Sequence, residues 1–420
     1  MMKRPTAASL KRVTVENLAG LGAERLAAIL ISVIDGRAEL KRRVRMELAA
    51  EQGADHLAVE IDKRLATLQT SRSKVSWRNR PAFVRDLDVL RGLIAGRLAG
   101  LDAAMALDRM WLLMSLAHSL ESRVRDKDGE LAAVFDRAAG DIGGLIRNTG
   151  DLLTAHALVE AMLKDPRRWA EWLPAILEHC PPALADAVLR LMSERPGATP
   201  AWMILVRLLA DAAGNVDAFQ STFSPAALKA PAVAAMVANR LLAAGRVADA
   251  GLRLKAAAPS TGRGLPGKAA EPDFDWETAW IDYLERSGQG EAAQAARWSS
   301  FERTLSAERA RAFTRRLSDF EDVEAEQRAF DHVATHPDFH RALRFLMDWP
   351  AYSEAARMIQ ARPEQIRVGE QQAEAWAASL RARQPKAAHA LLRHAAASAF
   401  RRRDFATCDR LTEEAEAILE

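Results

Sequence analysis

The chain lacks the residues on which disulfide-rich and β-sheet proteins depend. Among its 420 residues there are only 2 cysteines, Cys180 and Cys408, and 2 tyrosines. Two distant cysteines in so long a chain argue against a disulfide framework and favour a reducing compartment, so we expect a cytoplasmic protein. No alternation of apolar and polar residues reaches the length of a strand, and aromatic residues make up only 6% of the chain. Both observations argue against a sheet.

Strong net charge and long hydrophobic runs are missing as well. The 59 basic and 56 acidic side chains leave a net charge of +3, which gives no general attraction to nucleic acid or to a membrane. The most apolar run, Leu26–Ile34, has nine residues and cannot span about 30 Å of hydrocarbon. We therefore predict a buried helix there. Asp35 and Gly36 follow it in place of a signal-peptide cleavage site, which disfavours secretion.

Helix-forming residues dominate what is present. Alanine, leucine, arginine and glutamate are abundant, and all four favour helices. A chain of 420 residues is too long for one compact core, so several domains or an extended array are expected. Residues 1–100 carry 19 Lys/Arg and 11 Asp/Glu, a balance of +8, and the remainder carries 40 and 45, a balance of −5. The N-terminal quarter is the basic end.

The segment Trp276–Ala296 has the spacing of a helix-turn-helix repeat. With Trp276 at the fourth position of a tetratricopeptide-type unit, Tyr283 falls at the eleventh, Ala292 at the twentieth and Gly288 in the turn. We expect Trp276 and Tyr283 to lie between the two helices of one hairpin, largely removed from solvent. The alanines would let the second helix approach closely.

The repeat can be followed in both directions. A preceding unit supplies Leu241, Gly245, Ala250 and Leu254. Ala355 lies 63 residues after Ala292, and Ala388 lies 33 residues after Ala355. These distances are close to two periods and one period of about 34 residues. Capping side chains before proline, and a Ser-x-x-Glu capping box, predict further helix starts. These signals are Asp165-Pro166, Thr199-Pro200, Ser224-Pro225 and Ser318 with Glu321.

We therefore predict an all-α protein with an N-terminal helical bundle followed by a tetratricopeptide-like α-solenoid of helical hairpins. The glycine-rich stretch Gly140–Gly150 is the predicted break between them. The predicted organisation is a basic bundle over residues 1–150, helical hairpins over 151–257, a flexible Gly/Pro loop over 258–273 and tetratricopeptide-like repeats over 274–420.

Three segments between Glu291 and Pro350 carry a family resemblance: RWSSFERTLSAERARAF, LSDFEDVEAEQRAFDHV and HPDFHRALRFLMDWP, followed by Tyr352–Arg357. They closely resemble an uncharacterised family of bacterial, largely proteobacterial, all-helical proteins known as a domain of unknown function. The resemblance extends more weakly over most of the chain. Some relatives are similar to the helical part of SWIM zinc-finger proteins, but this chain lacks that cysteine/histidine element. The resemblance implies a helical fold and a bacterial cytoplasm, and it carries over no catalytic residue.

A glycine motif and a histidine motif each suggest a binding site that the surrounding sequence does not support. Gly262–Lys268 (GRGLPGK) matches the start of a phosphate-binding loop, but Ala269 replaces the magnesium-binding Ser/Thr and no strand precedes it. We interpret it as a solvated linker. His332, His336 and His340 recur every four residues, a spacing that can bind zinc. Because Pro337 interrupts the helix, we expect separate packing contacts and no metal.

Two further patterns are equally weak as sites. Cys180 follows His179, but neighbouring side chains on a helix point apart, so we expect a buried or capping cysteine. The acidic run Asp319, Glu321, Asp322, Glu324 and Glu326 follows Ser318 and is typical of a solvated helix start. We predict no catalytic residue, no cofactor and no metal, and hence no enzyme.

The segment 63–97 is the most suggestive stretch for function. It holds nine Lys/Arg against Asp86 and Asp88, with Trp77 in its middle. The candidate partner-facing residues are Arg72, Lys74, Arg78 and Arg80. We interpret the chain as a non-enzymatic protein–protein interaction or scaffold module whose partner docks on the concave face of the solenoid. The alternative is a nucleic-acid-associated factor that uses segment 63–97. We expect neither nucleic-acid nor membrane binding, because these cations are diffusely spread.

Overall fold

The computed structural model of the protein describes residues 13–149, 153–194, 199–258 and 273–418. In these ranges the chain is helical and forms no strand; one isolated bridge joins Val75 and Val124. The predicted all-α fold is confirmed. The predicted loop over 258–273 lies outside the described residues except for its two end residues.

The chain divides into two compact units, Met1–Thr222 and Phe223–Glu420, called unit 1 and unit 2 below. The helices of unit 1 are α1 Val15–Ala19, α2 Ala23–Ile34, α3 Ala38–Ala50, α4 Ala54–Thr70, α5 Arg80–Gly92 with a π-helical extension Leu93–Leu98 and a last turn Ala99–Leu101, α6 Ala103–Ser115, α7 Ala117–Arg123, α8 Glu130–Thr149, α9 Leu153–Lys164, α10 Pro166–Leu177, α11 Pro182–Ser193, α12 Pro200–Ala213 and α13 Val216–Ser221.

Unit 2 contains two short 3-10 turns, Ala227–Lys229 and Pro363–Gln365. Its helices are α14 Pro231–Ala243, α15 Val247–Ala256, α16 Phe274–Arg286, α17 Gly290–Thr304, α18 Ala307–Thr314, α19 Glu321–Thr335, α20 Phe339–Asp348, α21 Tyr352–Ala361, α22 Glu370–Leu380, α23 Pro385–Arg401 and α24 Phe405–Glu416. None of the described helices is long and apolar enough to cross a membrane.

The core of unit 1 is built around α8, which packs against α5, α6 and α10. Apolar residues three and four apart, such as Leu131, Phe135 and Ile142, give α8 a fully buried face. The predicted break at Gly140–Gly150 is wrong over its described part, because α8 continues through its glycines to Thr149. Gly143 permits close packing: a Cβ there would lie 2.6 Å from the carbonyl oxygen of Ile176.

Helix starts follow the sequence signals in most places. The side chain of Asp165 accepts a hydrogen bond from the backbone N–H of Arg168 at 3.2 Å, and Thr199 caps α12 in the same way. Ser224 also caps, but it opens only the 3-10 turn Ala227–Lys229. At Ser318 the Glu321 carboxylate accepts the backbone N–H, and α19 begins at Glu321. The predicted starts at Asp165 and Thr199 are confirmed. The predicted cap at Ser318 is wrong, because α19 is preceded by Phe320 and the Ser318 hydroxyl donates to the Glu321 carboxylate in place of capping a backbone N–H.

Leu26–Ile34 forms the predicted helix, but the prediction that this helix is buried is wrong. The segment is helical, as α2, but only Ile34 is buried and Ile31 is 66% exposed. The reason is that, among the described helices, the main contacts of α2 are with its chain neighbours α1 and α3. Hydrophobicity predicted the helix, and the tertiary arrangement leaves its apolar face in solvent.

Unit 2 begins with two helical hairpins. Gly245 (φ 74°) makes the turn between α14 and α15, and Gly288 (φ 78°) makes the turn between α16 and α17. Both need glycine because L-residues disfavour positive φ. In the first hairpin Leu241, Ala250 and Leu254 are buried, as the repeat spacing predicts.

The aromatic residues of the second hairpin pack differently from the prediction. Trp276 is half-buried, and its indole N–H donates to the carbonyl oxygen of Leu254 at 3.2 Å. Tyr283 lies against Gly251, where a Cβ would be 2.4 Å from the ring. Both side chains thus contact the preceding helix α15, a contact that the repeat spacing did not predict. Tyr283 also packs against the apolar cluster of its own hairpin, Ile281, Leu284 and Ala293, as expected. Ala292 is exposed, whereas its neighbour Ala293 is fully buried, so the predicted register of α17 is off by one residue.

The rest of unit 2 shares one hydrophobic core. It runs from Trp298 and Phe301 on α17 to Leu411 on α24. The repeat alanines Ala355 and Ala388 are both fully buried within it, in agreement with their predicted role at close helix contacts.

Candidate partner-binding loop

The loop over residues 71–79, between α4 and α5, is fixed by one arginine. The Arg123 guanidinium donates to the carbonyl oxygens of Leu68 at 2.9 Å and Ser73 at 3.0 Å, and to the Ser71 hydroxyl at 3.0 Å. The backbone N–H of Val75 donates to the Arg123 carbonyl oxygen at 3.0 Å. The loop is therefore ordered before any partner arrives.

Trp77 projects from this loop into solvent. Its side chain is 77% exposed, and the Arg78 guanidinium lies 5.2 Å from the centre of its ring. Ser76 stabilises the turn, because its carbonyl oxygen accepts the backbone N–H of Asn79 at 3.0 Å. A tryptophan this exposed is unusual, since its ring is among the largest apolar surfaces a side chain can bury.

The four predicted site residues separate into two groups. Arg80 is tied to its own chain: its guanidinium pairs with Asp128 at 2.6 Å and Glu130 at 3.5 Å. Arg72, Lys74 and Arg78 are exposed, and none of them makes an ion pair within the part of the chain that the structure describes. The loop thus brings together three unpaired cations and one exposed indole.

Elsewhere in segment 63–97, four of the five remaining cations make ion pairs, and Arg85 makes none with a described residue. The pairs are Lys63–Glu60, Arg64–Asp86, Arg91–Asp88, Arg91–Asp141, Arg97–Glu47 and Arg97–Glu51. This pairing leaves no continuous track of free cations such as a nucleic-acid backbone requires.

An aromatic cavity of about 700 Å³ lies in unit 1 between α6, α9 and α10. Trp111, Trp169 and Trp172 form its wall; the ring of Trp169 lies 5.6 Å from that of Trp111 and meets Trp172 edge-on at 5.5 Å. Lys164 also lines it. The sequence does not predict this cavity, because its tryptophans come from helices about 60 residues apart along the chain.

The three histidines of unit 2 do not converge. The ring Nε2 of His332 lies 3.0 Å from the Glu302 carbonyl oxygen, and His336 caps the end of α19. His340 is on the next helix, with its ring 6.0 Å from that of Trp376. The predicted helix interruption at Pro337 is confirmed, since α19 ends at Thr335 and α20 begins at Phe339. Within the described ranges no three metal-binding side chains form a cluster.

The remaining chemical candidates behave as packing and capping residues. Burial raises the pKa of the Cys180 thiol to about 11, so it stays protonated and unreactive at neutral pH. Glu321, Asp322 and Glu324 occupy the first turn of α19, where the helix dipole favours acids. The glycine motif Gly262–Lys268 lies outside the described residues.

Nearly the whole sequence, including the Trp77 loop and the cavity, is covered by one family. The model of DUF6880, a family of unknown function, matches residues 8–197 and 193–410. The chain belongs to this family. The expected resemblance to an uncharacterised family is thereby confirmed. No curated protein matches the chain, so function rests on the surface chemistry described above.

Proposed function

We propose that this DUF6880 member is a non-enzymatic interaction module that binds a protein or peptide through the loop over residues 71–79. The observation that carries the proposal is the exposure of Trp77 on a loop held in place by Arg123. Tryptophan and arginine are enriched among the residues that dominate binding energy at protein interfaces. An ordered loop also loses little conformational freedom on binding, which favours affinity.

The charge around Trp77 selects the partner. Arg72, Lys74 and Arg78 carry unpaired positive charge beside the indole, so the complementary surface is an acidic segment with an apolar side chain for Trp77 to contact. The aromatic cavity beside Lys164 is a second apolar surface in the same unit, and an anchoring side chain of such a partner would fit it.

The alternative is a nucleic-acid-associated factor in which Trp77 stacks on a base. Within the loop over residues 71–79 the unpaired cations are Arg72, Lys74 and Arg78, and the ion pair of Arg80 with Asp128 removes the fourth candidate. With so few free charges the electrostatic contribution is small, since it scales with the number of phosphates neutralised. The protein partner is therefore the better match.

Unit 2 supports a second docking element. We propose that its hairpins form a tetratricopeptide-like solenoid with a concave face for a peptide. In support, α14 packs on both α15 and α16, and glycine turns at Gly245 and Gly288 separate the helices of each hairpin.

The wider kinship that we propose, with bacterial proteins and with the helical part of SWIM zinc-finger proteins, rests on the segments between Glu291 and Pro350. The free cysteines Cys180 and Cys408 favour a cytoplasmic location.

A random peptide library displayed on phage and selected on the immobilised full-length protein tests this function. We expect enrichment of acidic peptides that contain an aromatic or large aliphatic residue. Trp77→Ala should abolish the enrichment, whereas Phe400→Ala, which removes an aromatic ring that is 60% exposed in unit 2, should preserve it. Sequences that lack acidic residues, or equal enrichment on the Trp77→Ala protein, would refute the assignment.

A further inference from the structure

A basic cleft lies between α3 and α4. Its volume is about 330 Å³. Five cationic side chains line it: Lys41, Arg42, Arg45, Lys63 and Arg64. So many cations in a small cleft repel one another unless carboxylates or a bound anion balance them.

Carboxylates balance only part of this charge. Arg42 and Arg64 share the single carboxylate of Asp86, with 3.3 Å from the Arg42 Nη2 to Asp86 Oδ1. Lys63 pairs with Glu60 at 2.6 Å, and Lys41 pairs with Asp35 at 3.2 Å on the solvent side. Arg45 makes no ion pair to any described residue. Five cations therefore face three carboxylates, Asp35, Glu60 and Asp86.

Hydrogen-bond acceptors are also missing in the cleft. The Nε atoms of Arg42 and Arg64 are buried and have no acceptor among the described residues. The Arg64 side chain is only 13% exposed. The pKa of Arg64 is lowered, chiefly by burial. The Asp86 carboxylate opposes this shift, and the positive charges of Arg42 and Arg123 add to it. Buried donors without acceptors are uncommon and indicate an absent partner such as an ion.

The cleft continues into a groove between the same two helices that has both polar lining residues, such as Gln52 and Asp55, and apolar ones. A second cavity of about 520 Å³ shares Arg45, Glu60 and Lys63 with the basic cleft. Leu48 and Val59 line it and are 62% and 52% exposed. A ligand that reached both cavities would therefore need an anionic end and an apolar end.

We propose that the groove between α3 and α4 binds a phosphate monoester that carries an apolar group. The phosphate lies among Arg42, Arg45 and Arg64, and the apolar group lies on Leu48 and Val59. Guanidinium groups suit a phosphate dianion because their planar N–H groups donate in pairs to its oxygens. The phosphate would also supply the negative charge that the cleft lacks, since its five cations face three carboxylates.

Calorimetric titration of the full-length protein at low salt tests the proposal with three probes: phenyl phosphate, inorganic phosphate and vesicles containing phosphatidic acid. We expect phenyl phosphate to bind more tightly than inorganic phosphate. Arg45→Gln should weaken phenyl phosphate binding about tenfold, the usual effect of losing one charge-assisted hydrogen bond. The matched control is Arg43→Gln on the same helix, since Arg43 is exposed and lines neither cavity; it should leave binding unchanged.

A second variant, Leu48→Ser, tests the apolar end. It should remove the preference for phenyl phosphate over inorganic phosphate and leave the binding of the latter intact. Neither Arg45 nor Leu48 is buried, so neither variant should alter the melting temperature. If vesicles bind only to proteins that retain Arg45, the apolar group is a lipid; if phenyl phosphate alone binds, the ligand is a soluble ester. Absence of binding by all three probes, or equal losses in Arg43→Gln and Arg45→Gln, overturns the proposal.

Discussion

Replacing Gly143 by alanine tests how closely α8 and α10 pack in unit 1. A Cβ at Gly143 would lie 2.6 Å from the carbonyl oxygen of Ile176 and 3.2 Å from its Cα. These are backbone atoms of a helix, so they cannot rotate away as a side chain would. Overpacking of this kind costs about 1–3 kcal/mol, and the better helix propensity of alanine returns about 0.5–1 kcal/mol. We expect a net loss of roughly 1–2 kcal/mol.

Two glycines of the same helix provide the control. A Cβ at Gly140 or at Gly144 would have no atom within 4 Å of it, so alanine at either should stabilise unit 1 by about 0.5–1 kcal/mol. Thermal unfolding followed by circular dichroism should place Gly143→Ala roughly 2–8 °C below the wild type, with both controls at or above it. If Gly143→Ala were as stable as the controls, the close contact with Ile176 would be refuted.

Three further predictions concern single side chains. The raised pKa of Cys180, about 11, predicts alkylation by iodoacetamide at pH 7.5 about a hundredfold slower than for an unburied thiol; mass spectrometry showing fast labelling would contradict it. Asp273 accepts the backbone N–H three residues later at 2.8 Å, so Asp273→Ala should destabilise α16 by about 1 kcal/mol in urea unfolding, and no change would exclude the cap. Burial opposes ionisation of Glu285, but hydrogen bonds from Arg316 and Arg297 outweigh it and lower its pKa. The ionised Glu285 carboxylate therefore stabilises the protein above the ordinary glutamate pKa, and this stabilisation is lost as the pH falls through the lowered pKa. In Glu285→Gln the free energy of unfolding should decrease less as the pH falls through this range.

The sequence was sufficient for the helical class and for many local elements. Composition and the absence of alternation predicted helices, and caps such as Asp165 and Thr199 set where they begin, because both are properties of neighbouring residues. Gly245 and Gly288 were predictable as turns for the same reason. The burial of Ala250, Ala355 and Ala388 followed from periodicity.

The predictions that failed concern features that depend on contacts between segments distant in the sequence. The glycines of α8 looked like a break because glycine disfavours helices, and only the approach of α10 explains why Gly143 is tolerated. The apolar sequence of α2 predicted burial, but no distant helix packs closely on it among the described residues. The basic cleft was hidden for the same reason, because Asp86 meets Arg42 across 44 residues of sequence. Segment 63–97 looked more basic than it is, since many of its carboxylate partners lie on other helices.

Parallel anisotropy titrations of two labelled probes test the interaction module most directly. The probes are an acidic peptide obtained by selection on the protein and an oligothymidylate, both at low salt. We predict that the peptide binds and that the oligonucleotide does not. Trp77→Ala should weaken the affinity for the peptide about thirtyfold, as expected for a central tryptophan contact worth about 2 kcal/mol. Micromolar oligothymidylate binding that falls steeply with salt and is lost in Lys74→Glu with Arg78→Glu, without peptide binding, would contradict the account.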